Sequence, residues 1–477
     1  MTIRSIAIAV LAGCAQLFGI DTTTSPDAAA PGVSLNLRRV SVGATLVYGP
    51  LDLAGQSATF LLADGTKVAG MVTASGTWTA PVPTGTPAVE FTVPDLGATF
   101  PRVLELPSRT LRDNFYLPEH PNPQPPSATS QLMVDVTLPS TYAAAERLEL
   151  SVIGAWMSHV LSAAELPGVG ATTVATTIRY ASFSPFAGGA PARIRADDAV
   201  LLSRYVGTAL TGVFQTAFDQ TDATDPVAGA MTAVMADKTL SATVDPTGLA
   251  MRYTAVNPRV SGLAMSWGLT AAPGHAAGAI SGPTLESGSV AMVETSITRP
   301  YANPFESLGW PTVLGYYTSE TRTYMFMGVA MTLYAGLYSI LEPGAANTLD
   351  LPAALPQTIS IAQQPLTSDG MTVSLDLTRP VDVTFVADVA VNTTYELVLY
   401  ELVLVGPTAK TQVVIDVRGT DPKLALPSEL IQVGHTYMIR LYTLKGGYGN
   451  ATTGDLQTLT LPYSSGYLDS GVFTVTP

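Results

Sequence analysis

Long stretches of this chain alternate apolar and polar side chains one by one, and a period of two restricts the fold more than any other feature. In VSLNL (33–37) Val33, Leu35 and Leu37 alternate with Ser34 and Asn36, and in QLMVDVTL (131–138) Leu132, Val134, Val136 and Leu138 share one side. The pattern returns in RLELSV (147–152), MTVSLDLT (371–378) and TQVVIDV (411–417). Successive side chains of a strand point to opposite faces, so such segments read as strands with one face on a core. Helical periodicity is scarce; the candidates are 155–165 (AWMSHVLSAAE) and 199–210. The 41 glycines and 36 prolines are spread along the chain, as many short elements joined by turns require. The expectation is an all-β protein of tandem β-sandwich domains with a larger central β domain.

Proline divides the chain. LPEHPNPQPP (117–126) lacks the N–H groups that a helix or a ladder needs, so it reads as an extended linker. A weaker break is LPAALPQ (351–357). The expected division is a signal peptide at 1–13, a tether at 14–32, and a small sandwich at 33–107. A Pro-rich linker at 108–126, a large β domain at 127–350 and a C-terminal sandwich at 357–477 follow.

The sharpest local signal is the only cysteine of 477 residues, Cys14. Before it come Arg4, an apolar run from Ile6 to Ala12, and small residues, which are the parts of a secretory signal. Leu11, Ala12, Gly13 and Cys14 resemble the lipobox of bacterial lipoproteins residue for residue. That resemblance implies a diacylglycerol on the Cys14 thiol, cleavage before it and acylation of the new amino terminus. Each buried methylene contributes about 0.8 kcal/mol, so two or three acyl chains anchor a domain stably. Ala15 is not the aspartate that favours inner-membrane retention in enterobacteria, so the resemblance points to the outer membrane. Residues 19–32, small, polar and broken by proline, suit a tether off the bilayer.

Two further resemblances concern fold. The glycine turns of ADGTKVAGMVTASGTWTAPVPTGTPAVEF (63–91) resemble a carboxypeptidase-regulatory or transthyretin-like sandwich in pattern. In LIQVGHTYMIRLYTLKGG (430–447), Leu430, Gly434 and Tyr437 precede the alternating Ile439 and Leu441. This resembles the E–F corner of fibronectin type III domains, whose tyrosine bonds the backbone just upstream. The resemblance implies that Tyr437 is the corner residue, 394–406 strand C and 470–475 strand G. No tryptophan follows Trp310, whereas that family carries one on strand B.

Function classes narrow by exclusion. With 23 basic against 37 acidic residues the net charge is −14, which disfavours nucleic acid, since phosphate backbones call for a basic surface. Ala264, Ser266 and Gly268 spell A-x-S-x-G, a loose nucleophile elbow, but Pro273 and Gly274 deny it the helix an elbow leads into. An esterase using Ser266 is therefore the minor alternative, and no catalytic set is assigned. His120, His159, His275 and His435 have no ligand spacing, and Asp219, Asp222 and Asp225 recur every third residue rather than every second as calcium loops do. No metal or cofactor is expected. The densest aromatic stretch, PYANPFESLGWPTVLGYYTSETRTY (300–324), offers Trp310, Tyr316 and Tyr317 as ligand-binding candidates. The nineteen uncharged residues 323–341 are long enough for a membrane helix, yet Gly328, Gly336 and Thr332 favour two buried strands around a bend. A barrel of outer-membrane type usually ends in an aromatic residue, and this chain ends FTVTP.

The sequence reading is thus a non-catalytic, lipid-anchored envelope or cell-surface protein, held in the membrane by its N-terminal lipid, that binds a glycan or protein partner. A structural or assembly component of the envelope is the alternative. Cys14→Ser is expected to abolish lipidation and leave the chain unprocessed or released from membranes. Metabolic labelling with an alkyne fatty acid checks this, and label retained on the serine variant would remove the anchor assignment.

Overall fold

The computed structural model describes residues 32–477 apart from 44, 63–65, 83–87, 96–97, 106–107, 119–130, 186–193, 196–197, 218–226, 246, 249, 252–264, 274–281, 291–295, 350–352, 354, 388–393, 448–453 and 458–459. Cys14 with its lipobox, the prolines of 121–126, His120, His275, Asp219, Asp222 and Asp225 lie outside the described residues. The described chain is built almost wholly of strands, as the alternation implied.

The first unit is a sandwich. Its central strand Val33–Val42 has Thr110–Pro118 parallel along one edge, and Thr77–Ala80 and Leu46–Pro50 antiparallel along the other. The facing layer contains Ala58–Leu61, Ala88–Asp95 and Ala98–Glu105. Leu35, Phe60, Trp78 and Phe91 fill the space between them. Residues 110–118, expected to belong to the linker, are thus a ladder strand. Leu111, Asp113 and Phe115 point inward at period two, a signal that the nearby prolines obscured.

Two large cores of the central region share one strand. In Ala199–Val206 every residue from 199 to 205 is buried. Val200 and Leu202 face a core with Leu132, Val134 and Leu148, whereas Leu201 and Tyr205 face another with Leu240, Trp267 and Leu314. A strand covered on both sides shows no polar alternation, which is why 199–210 reads as a helix from sequence. The helix candidate at 155–165, which could equally continue the strand before it, is a turn at Trp156 followed by the strand Met157–Val160. Arg204 is buried in the shared strand. Its guanidinium donates to Glu146 Oε1 at 2.7 Å and to the carbonyl of Thr141 at 2.8 Å, the pairing that a buried cation needs.

The uncharged run 323–341 lies in the hairpin of Thr312–Phe326 and Val329–Leu341, whose registers meet at Phe326 and Val329. Met327 and Gly328 both have positive φ, 48° and 84°, the conformation of a two-residue hairpin turn. No helix among the described residues is long and apolar enough to cross a membrane.

The C-terminal unit is a second sandwich. Gln357–Ile361, Val381–Val386 and Lys423–Leu426 form one layer; Thr394–Val405, Thr408–Gly419 and Thr436–Gly447 form the other. Val383, Leu397, Ile415, Ile439 and Leu441 are fully buried between them. Tyr437 opens the last of these strands, and its buried Oη accepts the Gln432 N–H at 2.9 Å. Gly434, at φ 85°, turns the chain between the two and donates its N–H to Val475 at 2.8 Å. Leu430 packs at the edge of the same core.

These units do not stand apart. Among the described residues a fourteen-stranded sheet runs through Met265–Ala271, the hairpin, Thr460–Asp469, Thr436–Gly447, Thr394–Val405, Thr408–Gly419 and Ala98–Glu105, from the central region to the first sandwich. Arg102–Glu105 pair in parallel with Asp416–Gly419. Leu456, between the last long strands of the C-terminal unit, is buried in the core of the first sandwich. Next to it the Gln457 amide donates to the carbonyls of Asn36 at 3.2 Å and Asp113 at 3.1 Å. At the same junction Arg418 contacts Asp113, Glu396 and Asp416 at 3.3–3.8 Å, a largely buried ion cluster.

Glu105 sits at this seam. Burial pushes its carboxyl up to about 7, aided by Asp421 and Asp382 and opposed by the Ala425 N–H, 3.2 Å from Oε1. A carboxyl raised in the folded state holds its proton more tightly than in the unfolded chain. Its contribution is therefore fully present below the ordinary carboxylate range and is lost as pH rises through about 7. The urea midpoint is expected to fall between pH 5 and pH 8, and Glu105→Gln is expected to reduce that fall. Equal falls in both proteins would contradict the account of the seam.

Candidate functional site

The structure separates the three aromatic candidates. Trp310 is 1% exposed and lies in the central core, stacked on Phe305 with ring centroids 5.4 Å apart. Its carbonyl accepts the Asn303 Nδ2–H at 2.8 Å. Pro311 does extend the backbone, but straight into the strand Thr312–Phe326, so the indole anchors the start of that strand instead of projecting from a loop. Tyr316, also 1% exposed, falls on the inward face of the same strand. Neither is an exposed anchor. Tyr317, one residue later on the opposite face, is 49% exposed.

Ser266 lies within Met265–Ala271, in register with Ser289 on one side and Tyr317 on the other. It occupies a ladder, and the strained strand-to-helix turn of an elbow is not formed there. His159 meets Glu165 at 2.8 Å and His435 meets Glu401 at 2.6 Å, each in a separate unit. Among the described residues no group of three potential metal ligands converges.

Tyr317 belongs to a larger arrangement that crosses the long sheet. Each register pair places side chains side by side on one face. Tyr317 pairs with Tyr338, which pairs with Ser465. Ser319 pairs with Gly336, Gly336 with Tyr467, Tyr467 with Tyr442, and Tyr442 with Glu396. Thr321 pairs with Tyr334, whose N–H donates to Asp469 Oδ2 at 2.7 Å, and Asp469 pairs with Arg440. Tyrosines from the hairpin and from two strands of the C-terminal unit are thereby gathered on one surface. Tyr317 and Tyr334 (40% exposed) stand open, while Tyr338, Tyr442 and Tyr467 are half-buried.

Two features hold the rings. Gly336 leaves room for Tyr467, because a Cβ there would lie 2.3 Å from the ring's Cζ. Arg440 grips Asp469 in a bidentate pair, Nε to Oδ1 at 2.6 Å and Nη2 to Oδ2 at 2.9 Å. Its Cζ also lies 5.4, 5.6 and 5.8 Å from the ring centres of Tyr334, Tyr400 and Tyr467, within cation–π range. The carboxylate raises the Arg440 pKa against the opposing effect of burial. Burial pushes the Tyr338 hydroxyl up to about 12 and raises that of Tyr467, so both stay neutral at physiological pH. The surface offers ring faces and hydroxyls, with the Arg440–Asp469 ion pair closed on itself.

A cleft of about 800 Å³ borders this face and includes Thr321, Arg322, Tyr334, Gln357, Asp369 and Ser470 in its lining. Arg322 pairs there with Asp369 and donates to the Asp469 carbonyl at 3.2 Å. Thr358 has φ 48°, unusual for a β-branched residue.

Sequence reading found Tyr317 but missed Tyr334, Tyr442 and Tyr467, because the surface draws on strands more than a hundred residues apart. The available signal was the period-two placement of Tyr463, Ser465 and Tyr467, which marks one face of a strand.

No protein-family model matches the chain, and no curated protein sequence matches it. A solved structure described as a tetra-tandem repeat in the extending region of a large adhesion protein aligns over 91% of this chain and 99% of its own, at 12% identity and a TM-score of 0.10. Superposition that poor transfers no property to this protein.

Gly336→Ala is expected to displace the Tyr467 ring while the chain stays folded, lowering stability by about 1–3 kcal/mol as overpacking does. Thermal melts and the crystal structure of the variant check it; an unmoved ring would show that the glycine does not set this surface.

Proposed function

We propose that the protein is a lipid-anchored component of the outer envelope that acts by recognition and without catalysis, holding its partner on the tyrosine face. The observation that carries this reading is the open aromatic surface of Tyr317 and Tyr334 on a sheet paired on both sides of their hairpin. Tyrosine supplies large contact area at low conformational cost, and a ladder holds it more rigidly than a loop would. The lipobox at Leu11–Cys14 supplies the membrane attachment, and Cys14 is the lipidated residue. The acidic balance favours partners other than nucleic acid.

The test displays the full chain on bacteria and measures their adhesion to target cells, with protease added to intact bacteria as the control for exposure. Tyr317→Ala with Tyr334→Ala is expected to cut adhesion at least tenfold, since exposed aromatic anchors contribute about 2 kcal/mol or more. The thermal midpoint should stay nearly unchanged. Equal adhesion by both proteins would remove the face from the function.

A further inference from the structure

We infer that the ligand of the tyrosine face is an uncharged oligosaccharide, laid across Tyr317, Tyr467 and Tyr334; this inference rests on the recognition reading above.

Charge is the first ground. A face that recognises an anionic or cationic partner must present an ion that is free to pair with it. Here Arg440 is bound through both guanidinium edges that reach Asp469, and Asp469 spends its remaining capacity on the Tyr334 N–H, with its side chain 0% exposed. Arg322, in the cleft that Thr321 and Tyr334 also line, is taken up by Asp369. The net charge of −14 further opposes polyanionic glycans.

What the face does present is matched to a polyhydroxylated ring. Ser319, Thr321, Thr323 and Thr332 are all exposed, and their hydroxyls both donate and accept. The tyrosines add flat apolar faces with a hydroxyl at the rim, suited to the C–H faces of a pyranose. A protein hot spot would instead centre on aliphatic or aromatic anchors in a desolvated pocket. Met325 and Met327, both exposed, lie toward the hairpin turn, beyond Thr323.

Length follows from register. Tyr317 and Thr321 are four residues apart on one strand, and Tyr334 is the cross-strand partner of Thr321. At roughly 3.4 Å per residue the two open rings are separated by about 14 Å along the strand direction. Tyr467 lies between them, its ring against Gly336, the partner of Ser319. A single pyranose cannot span that distance, so the ligand is a chain of sugars.

The experiment uses the full chain in detergent on a printed array of neutral and anionic glycans, with wild type, Tyr334→Ala and Tyr334→Trp. Binding to neutral oligosaccharides, absent for their monosaccharides, is expected. It should drop at least tenfold in the alanine variant and return in the tryptophan variant, whose ring restores stacking. No neutral-glycan signal, signal confined to anionic glycans, or equal signal in the alanine variant would overturn the saccharide assignment. Periodate treatment of target cells separates that failure from failure of the recognition reading. If treated cells still retain wild type but not the Tyr317→Ala, Tyr334→Ala protein, the face binds a protein and the saccharide inference falls alone. If untreated cells retain both equally, both readings fall.

Discussion

A carboxylate shut away from water is tolerated only where its partners replace the lost hydration, and in this protein that condition ties three strands together. Asp469 has its two oxygens taken up by the Arg440 guanidinium and the Tyr334 N–H. Arg440 belongs to Thr436–Gly447, Asp469 to Thr460–Asp469 and Tyr334 to Val329–Leu341. The middle strand of the three is paired along both edges, to the hairpin of the central region and to the C-terminal sandwich. The ion pair therefore stands where two structural units become one sheet. Its low-dielectric setting makes its loss costly, because removing either partner leaves the other charge buried and uncompensated.

The other seam uses different means. Parallel pairing of Arg102–Glu105 with Asp416–Gly419 extends the sheet, and Leu456 fills the neighbouring core. The Gln457 amide and carbonyl complete the polar contacts, the carbonyl accepting from Asn114 Nδ2 at 2.8 Å. Each sandwich would otherwise present an open edge strand, which is a hazard for aggregation; continuing the ladder across units covers those edges. The consequence for the surface is rigidity. Rings standing on a ladder paired across units are held in place before any ligand arrives, so little ordering entropy opposes binding.

Strand content was legible because one face of most strands meets water: VSLNL and QLMVDVT alternate in burial as they alternate in polarity. It was illegible where that condition fails. Ala199–Val206 is covered on both faces, and its apolar run carries no period. The bend in the uncharged run was readable from Gly328, because a positive φ favours glycine. The bond between the Tyr437 hydroxyl and the Gln432 N–H spans only five residues, a contact local enough for sequence pattern to suggest. Trp310 and Tyr316 were misassigned because aromatic density does not tell inward from outward; only the phase of the strand does. The tyrosine face and the sheet that joins the units depend on register between distant strands, to which local pattern is blind.

The most direct measurement is amide hydrogen exchange on Asp469→Asn. If this carboxylate couples the units, exchange should accelerate together in Val329–Leu341 and Thr436–Gly447, and the Tyr334 and Tyr467 rings should lose their fixed positions. Faster exchange confined to the residues next to 469, with both strands as protected as in the wild type, would contradict it.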